Sequence, residues 1–262
     1  MELGQILLFA FIVMCAYFIE GIIGFGGTIM AIPLASAVIG LKLTVPVLTI
    51  VVLVASIIIA IRDAKFIDKK QFLKITTLMV VGLPIGMWIF ESIPERPLKL
   101  ALGIFMIIIG IKGLYEGRNK EVGIELDSNL RNETLVINKS KIEDTKLKVF
   151  ENLTILCGGI VHGAFTCGGP FIVVYATKNI KDKTSFRATL CALWATLNAI
   201  MLIIDTYTGQ LTKNIVKISA ITMVFVIIAI VASNIIHKKI NSESFTKFVY
   251  IALIISGILM AM

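Results

Sequence analysis

The chain has 262 residues, 57% of them apolar and only 16% charged, with a mean hydropathy of +0.94. An ordinary soluble domain is excluded, because it needs more charge to cover its surface; charge bunched between long apolar runs points instead to a polytopic α-helical membrane protein. The net charge of +8 sits in short connecting segments, where Lys and Arg set membrane orientation, so it is no nucleic-acid footprint.

In chain order, the first half holds apolar stretches at 3–20, 28–40, 45–61, 75–93 and 100–115. An outer-membrane barrel does not fit them, since its strands would alternate apolar and polar residues over about ten positions. Met1-Glu2-Leu3 carries no positive leader, so no cleavable signal peptide is expected. A polar segment, 116–152, follows with seven Lys/Arg and eight Asp/Glu. It reads as a solvated tether with a surface helix around 140–150. The second half then repeats the order at 153–162, 170–177, 187–204, 218–236 and 245–262. Three domains result: a membrane repeat over 1–115, a linker over 116–152 and a second membrane repeat over 153–262.

Each half opens on a glycine interruption. The first reads Glu20-Gly-Ile-Ile-Gly-Phe-Gly-Gly27-Thr28 and the second His162-Gly-Ala-Phe-Thr-Cys-Gly-Gly169-Pro170, 142 residues on. Residues 3–40 as one helix would run about 57 Å, against a hydrocarbon core of about 30 Å. The glycines therefore turn the chain into a hairpin with its tip in the membrane. Five apolar segments per half is an odd number, which inverts the second half relative to the first. Loop charge agrees: segments 62–74, 178–187 and 237–247 carry 12 Lys/Arg, whereas 41–44, 94–99 and 205–217 carry 5. The positive-inside rule puts the first set in the cytoplasm together with 116–152, and both termini outside. The expected fold is all-α: two inverted repeats, each a Gly-broken helical hairpin plus three transmembrane helices, in the cell (plasma) membrane.

Broken helices at matching points of a duplicated membrane protein mark a transport site. A helix restarting after each break, near Thr28 and Pro170, exposes unpaired backbone N–H groups and about half a positive charge. Two such starts meeting near the midplane suit a small anion. A helix terminus supplies about 0.3–1 kcal/mol, up to about 2 when partly buried, far less than the cost of dehydrating an ion. Direct hydrogen bonds are needed as well. The candidates are Gly26, Gly27, Thr28, Thr166, Gly168, Gly169 and Asn198, with Cys167 either a weak donor or a small apolar filler. Glu20 and His162 precede the breaks at equivalent positions. Ionisable groups are costly in a bilayer, which makes both candidates for moving a proton with the anion. Gly21, Gly82, Gly86, Gly103 and Gly110 read as helix-packing glycines. Asp63, Glu91 and Asp205 fall at helix ends and read as solvated or paired with nearby basic residues. The four cysteines form no Cys-x-x-Cys pair, so no metal centre or cofactor is expected.

At these breaks the chain resembles the TauE/SafE family of membrane proteins, the sulfite exporters. The resemblance rests on Gly21-Ile-Ile-Gly24-Phe-Gly26-Gly27-Thr28 with Pro33 after it, and on Gly163-Ala-Phe-Thr-Cys-Gly168-Gly169-Pro170. It extends over nearly the full length apart from the linker. Thr28 stands where a third glycine is common, and Thr166 where a glycine often precedes Cys167. The resemblance implies export of small sulfur-containing anions such as sulfite or organosulfonates, often linked to protons.

The leading expectation is a secondary transporter of a small anion working by alternating access. The alternative is a channel or carrier of cations, because broken helices also aim carbonyl ends at cations. An intramembrane enzyme is disfavoured: there is no His-Glu-x-x-His and no nucleotide-binding loop, and His162 with Cys167 is the one catalytic-looking pair. The expected partners are the substrate anion and the lipid bilayer. Oligomeric state is not legible.

Overall fold

The computed structural model describes residues 2–23, 27–127, 141–180 and 182–236, with six positions between 250 and 258. The helices defined there are α1 (Leu3–Ile23), α2 (Gly27–Ile39), α3 (Leu41–Arg62), α4 (Lys69–Ser92), α5 (Glu95–Asp127), α6 (Lys141–Phe165), α7 (Gly169–Asn179), α8 (Lys183–Tyr207) and α9 (Lys213–Ile236). No strand occurs among the described residues. Six helices (α1, α3, α4, α5, α8 and α9) carry apolar windows long enough to cross a bilayer; α2 and the apolar part of α6, Val149–Phe165, are shorter. Helices suit lipid because they satisfy their own backbone hydrogen bonds. Large apolar side chains such as Ile58, Trp88, Ile108 and Val231 face outward, as a lipid-facing surface requires.

Polar residues place the helix ends. Asp68 and Asp182 cap α4 and α8, accepting the amides of Gln71 at 3.0 Å and Ser185 at 2.7 Å, each worth about 1 kcal/mol. Between α2 and α3 there is only Gly40, whose φ of 82° suits a residue without a Cβ. The first amide of α3, that of Leu41, is held by Glu95 Oε1 of α5 at 2.8 Å. Helix also covers part of the polar segment expected to be a tether, since α5 runs to Asp127 and α6 begins at Lys141. Positions 128–140 lie outside the described residues, as does most of the expected span 245–262.

The order of elements repeats: α2 and α7 start at Gly27 and Gly169, 142 residues apart. Packing repeats as well. Exchanging the halves turns the contact of α1 with α9 into that of α6 with α4, and α3 with α9 into α8 with α4. It turns α1 with α2 into α6 with α7 and leaves α3 with α8 unchanged; all of these pairs touch. The central pair, α3 and α8, runs antiparallel. Val45 near the start of α3 shares a cavity with Met201 and Asp205 near the end of α8, and Asp68, just beyond α3, donates its amide to Thr189 near the start of α8 at 2.9 Å.

Two of the glycines expected to serve packing do so at one seam. Gly82 and Gly86 of α4 face Gly159 and Gly163 of α6. A Cβ at Gly86 would overlap the Ile160 carbonyl oxygen, and one at Gly163 the Leu83 carbonyl oxygen. This is a small-xxx-small contact on both helices, where dispersion replaces the hydrophobic drive missing in lipid. Gly163, read from sequence as part of the second break, therefore serves packing.

Candidate functional site: two unequal breaks

Each break closes a hairpin, since α1 packs on α2 and α6 on α7. Their residues share one apolar interior: Ala16, Tyr17 and Ile29 from the first hairpin cluster with Ala164, Phe165 and Cys167 from the second. Both breaks also border one stretch of α8. Arg187 and Cys191 lie within electrostatic reach of Glu20, while Trp194 stacks on His162 of the second break and Asn198, one turn further along α8, bonds back to the Trp194 carbonyl.

The first break is self-capped. Glu20 Oε2 accepts the Gly27 amide at 2.9 Å, so the start of α2 already holds a carboxylate, the group its dipole favours. Thr28 Oγ1 lies 3.3 Å from the Tyr17 hydroxyl. A Cβ at Gly27 would overlap Glu20 Oε2 and come within 3.2 Å of the Ala16 carbonyl oxygen. Gly26 lies outside the described residues.

The second break is built differently. Thr166 adopts φ 55°, left-handed and uncommon for a β-branched residue, and its amide closes α6 on the His162 carbonyl at 2.6 Å. Its hydroxyl meets Thr49 Oγ1 of α3 at 3.0 Å. Thr49 donates its one proton to the Val45 carbonyl at 3.0 Å, which leaves Thr166 the donor in the pair. Cys167 is buried and free. A Cβ at Gly168 would overlap the Gly158 carbonyl oxygen, whereas one at Gly169 meets nothing closer than Trp194 Cζ2 at 3.9 Å. The start of α7 therefore has no side-chain cap and only an ordinary contact with Trp194, where the start of α2 has Glu20.

His162 and Asn198 carry buried polar atoms without hydrogen-bond partners. His162, 1% exposed, stacks on Trp194 with ring centroids 5.1 Å apart and planes at 16°; neither of its ring nitrogens has a hydrogen-bond partner. Asn198, fully buried, donates Nδ2 to the Trp194 carbonyl at 2.8 Å, and its Oδ1 has no partner. Leaving a buried polar group unpaired costs about 1–3 kcal/mol, so such atoms in a native interior mark a place that something else completes.

A cavity of about 220 Å³ opens between α3, α4 and α8 and reaches α6 at Gly163; His162, Gly169, Trp194 and Asn198 do not line it. Its lining includes Lys42, Glu91, Asp205 and Gln210 at the helix ends, and Thr49, the partner of Thr166. Lys42 donates to the Phe90 carbonyl and lies 4.5 Å from the centroid of that ring. Among the described residues no three His, Cys, Asp or Glu are placed to share a metal ion.

A family model described as sulfite exporter TauE/SafE matches residues 9–260, taking in both breaks and every helix between them. The chain belongs to the TauE/SafE family. No curated protein and no solved structure matches it. TauE/SafE is a family of exporters of sulfite and related sulfur anions, and this member is a multi-pass membrane protein.

In this TauE/SafE chain, sequence reading found the breaks and the residues flanking them but missed those that complete them. Thr49, Trp194, Cys191 and Arg187 sit on α3 and α8. One signal was available: the 142-residue register maps Thr49, which touches the second break, onto Cys191, which lies within electrostatic reach of Glu20 at the first. Trp194 has no such signature.

Proposed function

We propose that this chain is a secondary transporter that exports a small anion, sulfite or an organosulfonate, by alternating access between two inverted repeats. The anion sits at the second break, against the start of α7, with His162, Asn198 and the Gly169 region around it. The single observation that carries this reading is the inequality of the breaks: the start of α2 is capped by Glu20, while the start of α7 has no side-chain cap and His162, which closes the preceding helix, is buried with both ring nitrogens unpartnered. A buried helix start left without a partner calls for one, and an anion is what its dipole favours.

Glu20 is the proton-coupling residue in this account. As a carboxylate it holds the Gly27 amide with a full negative charge; once protonated it keeps only a neutral acceptor and holds the start of α2 more weakly, so proton and anion movements are linked. His162 contributes a hydrogen bond to the anion. Antiparallel α3 and α8, equivalent in the two halves, support the inverted relation, with residues 1–115 and 153–262 as the repeats. The protein lies in the plasma membrane with both termini outside and 116–152 cytoplasmic.

Reconstituted protein tests the reading: sulfite efflux from proteoliposomes, followed under an imposed pH gradient. Sulfite flux that a proton gradient accelerates is expected; flux of sodium or potassium instead of sulfite would replace this reading with a cation carrier, which the carboxylates of Glu91 and Asp205 in the cavity would favour.

A further inference from the structure

Asp205, near the end of α8, is 8% exposed and lines the cavity between α3, α4 and α8. A solvated or ion-paired group was expected there, and the carboxylate is neither: among the described residues it has no hydrogen bond and no ion pair. Its backbone carbonyl accepts the amides of Gln210 at 2.9 Å and Leu211 at 3.2 Å, so the turn after α8 fixes the residue against the cavity wall. Asp63, its equivalent 142 residues earlier, pairs with Arg62 at 2.9 Å. The same register puts Ile204 where Arg62 stands, and Asp205 has no such cation beside it.

The charges that face Asp205 come from two helices. From α4, Glu91 lies within electrostatic reach and is itself exposed. From α3 comes Lys42, whose ammonium donates to the carbonyls of Phe90 and Glu91 and lies 4.5 Å from the centroid of the Phe90 ring. The carboxylates that Lys42 feels are those of Glu91 and Glu95. To the same wall α6 adds Gly163, and the turn after α8 adds the neutral Gln210. The cavity thus sets one ammonium against two carboxylates, and the ammonium serves the exposed one. A carboxylate kept from water without a counter-charge is neutralised instead. A hard metal cation would take about six oxygen ligands, whereas Val45, Pro46, Met87, Phe90 and Met201 make much of this wall apolar.

We infer that Asp205 is a proton-binding site served by this cavity, with its proton arriving from solvent past Glu91 and Gln210, both exposed. Asp63, held by Arg62, is not one. The bound proton removes the excess negative charge of the wall, so an anion in the cavity meets a neutral lining only while Asp205 is protonated. In the transport account above this adds a second proton group beside Glu20, but the site itself does not depend on that account.

Infrared difference spectroscopy of the full-length protein in detergent reads the site through the C=O stretch of a neutral carboxylic acid. At about pH 6, where ordinary exposed carboxyls remain ionised, the wild type is expected to show such a band, and alkaline buffer to abolish it. Asp205→Asn is expected to lose a component that Asp63→Asn keeps, and added sodium at fixed pH to leave that component unchanged. Identical bands in the wild type and Asp205→Asn overturn the proposal. A component that sodium removes at fixed pH also overturns it, and makes the occupant a metal cation. Should Asp205→Asn fail to fold, Asp205→Glu keeps the carboxyl on a longer arm and should move the band; a band left in place overturns the assignment. Sulfite plays no part in this readout, so failure of the anion site at the second break and failure of the proton site are told apart.

Discussion

The carboxylate of Glu20 accepts the amide hydrogen of Gly27 at 2.9 Å, whereas His162, its equivalent 142 residues on, has no hydrogen-bond partner at either ring nitrogen. Two hairpins at matching places in the chain thus carry opposite chemistry at their turns. The first supplies its own anion. The second is left open, and the functional account rests on that difference.

Replacing Glu20 by Gln keeps an acceptor for the Gly27 amide and removes the titratable charge. Stability should fall by less than about 1 kcal/mol, the scale of a lost cap, because the acceptor is kept. Sulfite flux should persist but lose its response to an imposed pH gradient in proteoliposomes. A variant that still follows the gradient as the wild type does would remove Glu20 from the coupling.

Adjacent glycines at the second break should behave in opposite ways. Gly168→Val sets a side chain on the Gly158 carbonyl, a backbone atom that cannot yield cheaply, so little folded protein is expected by size-exclusion chromatography. Gly169→Val adds a Cβ in ordinary contact with Trp194; it should fold and melt like the wild type while sulfite binding is lost. Gly27→Val is a less clean probe, because its side chain displaces Glu20 as well.

The hydroxyl pair of Thr49 and Thr166 joins α3 to the second break at 3.0 Å. Thr49→Val and Thr166→Val should each lower stability by about 1 kcal/mol. The double variant should be little worse than either single one, as for residues in direct contact. Full additivity in thermal melts would show that the bond contributes nothing.

The seam between α4 and α6 predicts a sharp positional effect. Gly86→Leu would drive a side chain into the Ile160 backbone and should abolish assembly of the folded protein. Gly4→Leu, with nothing within 4 Å of its Cβ, should express normally. Comparable yields of the two in membranes would contradict the close approach of these helices.

Much of the architecture was legible because lipid imposes one strong rule: apolar length. The start of α2 at Gly27 and of α7 at Gly169 followed from the glycine pairs within a residue. The helix ends beyond the apolar runs did not. Apolarity reports lipid contact and not helicity, so α5 extends to Asp127, into sequence that read as a tether, whereas the surface helix read around 140–150 forms the first part of α6, from Lys141. The start of α3 at Leu41 depends on Glu95, 54 residues away, a tertiary cap no local pattern announces. At the site, Glu20, His162 and Asn198 stood out as polar groups in apolar sequence. That Glu20 turns back onto Gly27, and that Trp194 ties His162 to Asn198, are consequences of hairpin closure and helix packing. They surface only when α1, α6 and α8 are placed together.

The most direct measurement is the structure of the protein soaked with selenite, a heavier stand-in for sulfite whose selenium is located by anomalous scattering. The account predicts one principal peak at the start of α7, within hydrogen-bonding distance of His162 and Asn198. A principal peak beside Lys42 with none at the second break, in protein that still transports sulfite, would contradict it.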